Sequence, residues 1–103
     1  MIRKLLTIGI LTLILTTGAA WAGGDAAAGE TKAASCAGCH GASGEGAGDN
    51  PPLAGMDEAE HVTVLQAYKS GEREHAMMQM FAGQLSDEDM ADLAAYYAGL
   101  GGE

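Results

Sequence analysis

Two cysteines in a chain of 103 residues are too few for a disulfide framework. Basic residues are scarce as well. Five lysines and arginines stand against 14 aspartates and glutamates, and such a balance repels nucleic acid and anionic membrane surfaces. The one long apolar run, Leu5 to Thr17, falls short of the roughly 20 residues that a membrane-spanning helix needs. No stretch alternates apolar and polar residues as a half-buried strand does, so the chain reads as all-α.

What is present begins with a leader. Met1-Ile2-Arg3-Lys4 is a short basic start, the apolar run follows, and Ala20-Trp21-Ala22 has the small-x-small pattern of a cleavage site. Residues 1–22 therefore read as a cleavable secretory signal peptide and residues 23–103 as one domain, exported to the periplasm or an equivalent compartment with no stable membrane insertion after cleavage. Removal after Ala22 leaves 81 residues (103 − 22) with Lys32, Lys69 and Arg73 against all 14 acidic residues, a formal charge of −11 (3 − 14). A domain this small buries a marginal core by itself. Without disulfides, a large apolar cofactor is the natural staple.

Along the mature chain, Asp25 is a candidate N-cap for a helix over Ala26 to Ser35, with Gly29 inside it where another element approaches closely. Gly41 to Pro52 is a glycine-rich loop. Asp57 and Glu60 form a capping-box-like start to a second helix, with Val62, Leu65, Tyr68 and Lys69 along one stripe and Gly71 ending it. Glu74 to Gly83 contains Met77, Met78, Met80 and Phe81 and reads as either a short helical turn or a loop. Ser86 caps a last helix whose Met90, Leu93, Ala94 and Tyr97 fall at i, i+3, i+4 and i+7. Gly99 is expected to stop it.

The chemistry rests on Cys36-Ala37-Gly38-Cys39-His40, a C-x-x-C-H motif that marks covalent attachment of c-type haem. Two thiols separated by two small residues add to the two vinyl groups along one edge of the ring. The adjacent histidine then reaches the iron from below. A thioredoxin-like pair would need a βαβ context, which is absent, and a structural zinc site wants about four ligands, which here would take His40 with His61 or His75 at irregular spacing. The second axial ligand has to come from elsewhere, and a methionine thioether opposite histidine is the electron-transfer arrangement. Met90 belongs to the apolar face of the last helix, and Met56 lies where a helix begins. Met77, Met78 and Met80 remain, and spacing alone does not choose among them.

From Asp25 to Leu100 the chain resembles class I cytochromes c, in particular the bacterial periplasmic c-four/c-five type. The matching stretches are the C-x-x-C-H motif, Pro51-Pro-Leu-Ala-Gly55, Tyr68-Lys-Ser-Gly-Glu-Arg73, and Met78 to Asp89 running into Leu93-Ala-Ala-Tyr-Tyr97. The resemblance implies the class I cytochrome c fold, helices wrapped around one covalently bound haem c. It implies His40 and Met78 as the axial iron ligands, Met78 being seven residues before Leu85. It also implies that the Pro51 carbonyl receives the His40 N–H, that Leu53 packs on the haem, that Arg73 pairs with a haem carboxylate, and that Gly29 meets Tyr96 or Tyr97 where the terminal helices cross. The chain departs from the family in carrying Met56 where glutamine is frequent. His61 and His75 are expected to be solvated.

With both axial positions filled, no substrate is transformed at the iron, and the expected function is a soluble one-electron carrier, monomeric or weakly associating. The acidic surface predicts redox partner proteins with a basic docking face. Permanent membership of a larger dehydrogenase shares the same haem chemistry. An open iron site, as in a haem enzyme or gas sensor, is the remaining class, and the methionine segment argues against it.

Overall fold

The computed structural model describes residues 23–100; the leader expected over residues 1–22 lies outside them. Five helices follow one another: α1 (Ala26–Lys32), α2 (Ala34–His40), α3 (Glu58–Ser70), α4 (Ala76–Gly83) and α5 (Asp87–Leu100), and there is no strand among the described residues. The all-α expectation holds, and α4 settles the methionine segment as a helix.

The caps explain where the helices begin. The Asp25 carboxylate accepts from the backbone N–H groups of Ala27 and Ala28, and Asp57 accepts from Glu60 at 3.0 Å. Ser86 and Asp89 form a reciprocal pair: the Asp89 N–H donates to Ser86 Oγ at 3.0 Å, and the Ser86 N–H donates to Asp89 Oδ2 at 2.9 Å. Gly71 ends α3 in the left-handed conformation, φ +90°. Two boundaries differ from expectation. The first helix breaks at Ala33 and restarts, because the Cys36 N–H turns to the Ala33 carbonyl at 2.8 Å, an i→i+3 bond, and helix then runs through the C-x-x-C-H motif to His40. Gly99 does not stop α5, which continues to Leu100; a glycine inside a helix weakens it by only about 1 kcal/mol.

Packing follows the expected faces. Helix α1 crosses α5, and α3 packs on both α4 and α5. Met90, Leu93, Ala94 and Tyr97 are all buried, as are Val62 and Leu65. A Cβ on Gly29 would fall on the Asp92 carbonyl and lie 2.8 Å from the Tyr96 Cβ, so the expected crossing is there, built against Asp92 and Tyr96. Asp92 is a polar group inside this crossing, 3% exposed. Its carboxylate accepts from the Asp25 N–H at 2.7 Å and from Lys32 Nζ at 2.6 Å. Lys32 also meets Asp89 at 2.8 Å.

Two outcomes test this crossing. Gly29→Ala should destabilise the holoprotein by about 1–3 kcal/mol, the usual cost of overpacking, seen as a lower midpoint of thermal unfolding. The Lys32 ammonium holds Asp89 down to about 2 from its ordinary 3.8 and pulls Asp92 down as well. Depressed carboxylates stabilise the fold above their ordinary value and lose that contribution as the pH falls through the folded one. Lys32→Met should therefore lower the midpoint at pH 7 and flatten its decline between about pH 4 and pH 2.

Candidate functional site

Helical spacing places Cys36, Cys39 and His40 at i, i+3 and i+4, on one side of the last turns of α2. All three line a cavity of about 450 Å³, within the ordinary range for small-molecule sites. Both cysteines are free thiols; Cys36 is half-buried and Cys39 exposed. Burial pushes the Cys36 thiol up.

His40 is buried, and its Nδ1 lies 2.8 Å from the Pro51 carbonyl. A carbonyl only accepts, so Nδ1 carries the proton and Nε2 keeps the lone pair that a metal requires. The glycine loop brings Pro51 there. The Gly46 N–H donates to the His40 carbonyl at 2.7 Å, and Asn50 Nδ2 donates to the Cys39 carbonyl at 2.9 Å. At Gly44 the backbone adopts φ +69° and lies so close to Tyr97 that a Cβ would sit 2.7 Å from the ring. Its carbonyl then accepts from the Leu53 and Ala54 N–H groups at 2.7 and 2.9 Å, which sets buried Leu53 into the cavity wall.

Helices α3 and α4 form much of the rest of the wall. Met77 and Met78 both line the cavity, whereas Met80 does not. Met77 and Met80 are 47% and 53% exposed. Met78 is half-buried and packs on the cluster of Val62, Leu65, Met90 and Ala94. It is thus the one of the three that is both in the cavity wall and anchored to the core. Met90 is wholly buried in that core, as expected. Met56 precedes α3 without joining it, and lines the cavity from the loop. Arg73 also lines it and holds its guanidinium 5.2 Å from the centre of the Tyr68 ring.

The two remaining histidines divide. His75 is exposed, as expected, and it serves as the cap of α4. Its ring Nδ1 accepts from the Met78 N–H at 3.4 Å, while its own backbone N–H donates to Gln79 Oε1 at 3.1 Å. His61, expected to be solvated, is only 3% exposed and lines the cavity. Its Nδ1 is sealed from solvent with no hydrogen-bond partner, and its ring lies 5.8 Å from that of Tyr97. Burial pushes His61 down to about 4, so it is neutral at ordinary pH. The signal for its burial is in the spacing, since His61, Leu65 and Tyr68 fall at i, i+4 and i+7 on α3.

These residues fit a haem. Two thiols share one side of a helix, an imidazole offers its Nε2, a thioether stands in the same cavity, and much of the wall is apolar. The family comparison decides it: the cytochrome c model matches residues 26–100. The chain belongs to the cytochrome c family.

Members of that family carry covalently bound haem c, and the single C-x-x-C-H motif accounts for one per chain. The chain is 47% identical over 97 residues to cytochrome c4 of Pseudomonas aeruginosa, covering 93% of this chain and 48% of that protein. Cytochrome c-554(548) of Halomonas halodenitrificans is 46% identical over 79 residues, 73% of this chain and 95% of that one. Among solved structures, the thiosulfate dehydrogenase of Marichromatium purpuratum in its as-isolated form matches with a TM-score of 0.69 and 38% identity, over 73% of this chain and 19% of that one. The chain spans about half the length of the cytochrome c4 proteins it matches. Its helices have the class I cytochrome c fold.

The cap on α4 yields a prediction. His75→Ala should lower the stability of the holoprotein by about 0.5–1 kcal/mol, towards the low end for a lost N-cap because the bond is long. His75→Asn, which supplies another capping side chain, should restore it. Thermal unfolding followed at the haem absorption measures both.

Proposed function

We propose that this protein is a soluble one-electron carrier whose haem is attached through Cys36 and Cys39 and ligated by His40 and Met78. One observation carries the reading: a single cavity is lined by both cysteines and the histidine of the attachment motif and by a core-anchored methionine. When bound, the haem supplies the ferric/ferrous couple. The protein's part is to keep the iron six-coordinate and dry. Pro51 orients the His40 ring and raises its basicity as a ligand. The Met78 thioether favours the ferrous state, and its packing on α3 and α5 limits how far it can leave. Leu53 excludes water beside the motif. Arg73, at the cavity wall, supplies a cation for a haem carboxylate.

Cys39 is exposed, so the thioether edge is the short path for an electron in or out. The chain's acidic excess suits a partner with a basic docking face, with encounter slowed by salt. Export to the periplasm behind a cleaved leader over residues 1–22 completes the reading. Among the described residues no helix is long and apolar enough to cross a membrane.

A second reading has a specific observation behind it. The likeness to part of a thiosulfate dehydrogenase suits a haem domain with a permanent enzyme partner. Near-complete coverage of cytochrome c-554(548) favours the free carrier, and gel filtration of the native protein separates the two.

The axial assignment is tested by the optical spectrum of the oxidised holoprotein. Wild type should show the far-red iron–sulfur charge-transfer band, Met78→Ala should lose it and gain rapid binding of carbon monoxide when reduced, and Met77→Ala should keep it. A band that survives Met78→Ala would assign the ligand to another methionine.

A further inference from the structure

His61 is the buried polar group in the cavity wall that the proposed function leaves without a role. It is 97% buried by its 3% exposure, and no protein group within the described residues bonds its Nδ1. Buried polar groups in native proteins have partners; Nδ1 is closed off and stays without one, so the nitrogen that an occupant of the cavity can reach is Nε2.

The geometry of the ring says which chemistry it faces. Nδ1 is closed off and has no acceptor near it. A proton placed there would be a buried N–H with nothing to receive it, so the neutral ring keeps its proton on Nε2. The ring nonetheless lines the cavity, and since Nδ1 is sealed it does so along the edge that includes Nε2. A protonated Nε2 has no lone pair for iron. In haem the four ring nitrogens are bonded to iron, which leaves two carboxylates as hydrogen-bond acceptors. Arg73 is placed to meet one of them at the exposed part of the wall. From these observations, and resting on the haem site proposed above, we infer that His61 is a positioning residue that donates from Nε2–H to a haem carboxylate and holds the cofactor at its buried side.

The neighbours are compatible with this role. The Tyr97 ring is tilted at 43° against His61 and holds it in place. Glu60 also lines the cavity, but it is exposed, so it does not share the buried side. Leucine is close to histidine in volume and would fill the same space without the N–H, while glutamine retains a donor.

The test uses the reduced, diamagnetic holoprotein. Long-range proton–nitrogen NMR should report the Nε2–H tautomer of His61. Infrared spectra with carbon-13-labelled haem should show one carboxylate band that shifts in His61→Leu and returns in His61→Gln. Removal of the donor should also shift the reduction potential downward in His61→Leu, since an unbonded carboxylate favours ferric iron, with recovery in His61→Gln. Carboxylate bands that stay in place in His61→Leu, or an Nδ1–H tautomer, overturn the inference. So does a far-red iron–sulfur band that is absent from wild type and appears in His61→Leu, because His61 would then be an iron ligand. That band reads the axial bond separately from the carboxylate bands. A failure of the His40/Met78 reading with shifted carboxylates therefore leaves the hydrogen bond standing.

Discussion

Helix α1 can reach α5 only because Gly29 has no side chain to meet the Asp92 carbonyl. At that separation Asp92 turns inward and binds both the N-terminal end of α1, through the Asp25 N–H, and its C-terminal end, through Lys32. One carboxylate thus ties the whole length of α1 to α5. The attachment motif follows directly, since α2 begins one residue after α1 ends, across Ala33. Tyr97, on the same α5, backs the cavity and fills the space beside Gly44. The position of the thiols relative to the cavity is therefore inherited from a contact that lies outside the cavity wall.

The cavity is assembled from two kinds of structure. The attachment side combines a short helix with a glycine loop that folds back onto it, and its geometry is set by backbone hydrogen bonds: Gly46 to His40, and Leu53 and Ala54 to Gly44. Directional bonds of this kind suit a ligand whose ring plane and tautomer matter. The methionine side depends on side-chain packing, with Met78 seated among Val62, Leu65, Met90 and Ala94. A thioether has no tautomer and bends easily, so a packed groove is enough to present it. The asymmetry follows the chemistry of the two proposed ligands.

The same distinction explains what is legible in the sequence. The attachment motif, the amphipathic face of α5, the caps at Asp25, Asp57 and Ser86, and the crossing at Gly29 are local patterns with one physical meaning each. Where the meaning depends on how the backbone turns or on what packs against a side chain, the reading falls short. Ala33 gives no sign that the helix must restart there, because the cause is an i→i+3 bond made in the tight turn before the cysteines. Gly99 looks like a stop and is tolerated. Met77, Met78 and Met80 are equivalent by spacing, and only the packing of α4 on α3 separates them. A histidine next to Glu60 looks solvated, yet the register of His61 with Leu65 places it on the inner face.

Asp92 and His61 are the two polar side chains whose burial the composition gives no reason to expect, and they differ in a way that separates structural from functional burial. Asp92 has its partners within the chain: an ammonium from α1 and a backbone N–H. It is complete without a cofactor, and its role ends with the helix crossing. The sealed nitrogen of His61 has none. A neutral ring with one sealed nitrogen is the less costly form of an unsatisfied group, since an unpaired lone pair is better tolerated than an unpaired N–H. That cost is carried with or without a cofactor; what an occupant of the cavity can satisfy is the opposite nitrogen, Nε2. A polar residue kept in such a position makes the domain's stability depend on the cofactor, in addition to the apolar surface that the cofactor covers. In a chain too small to be stable on its own core, that dependence links correct folding to correct loading.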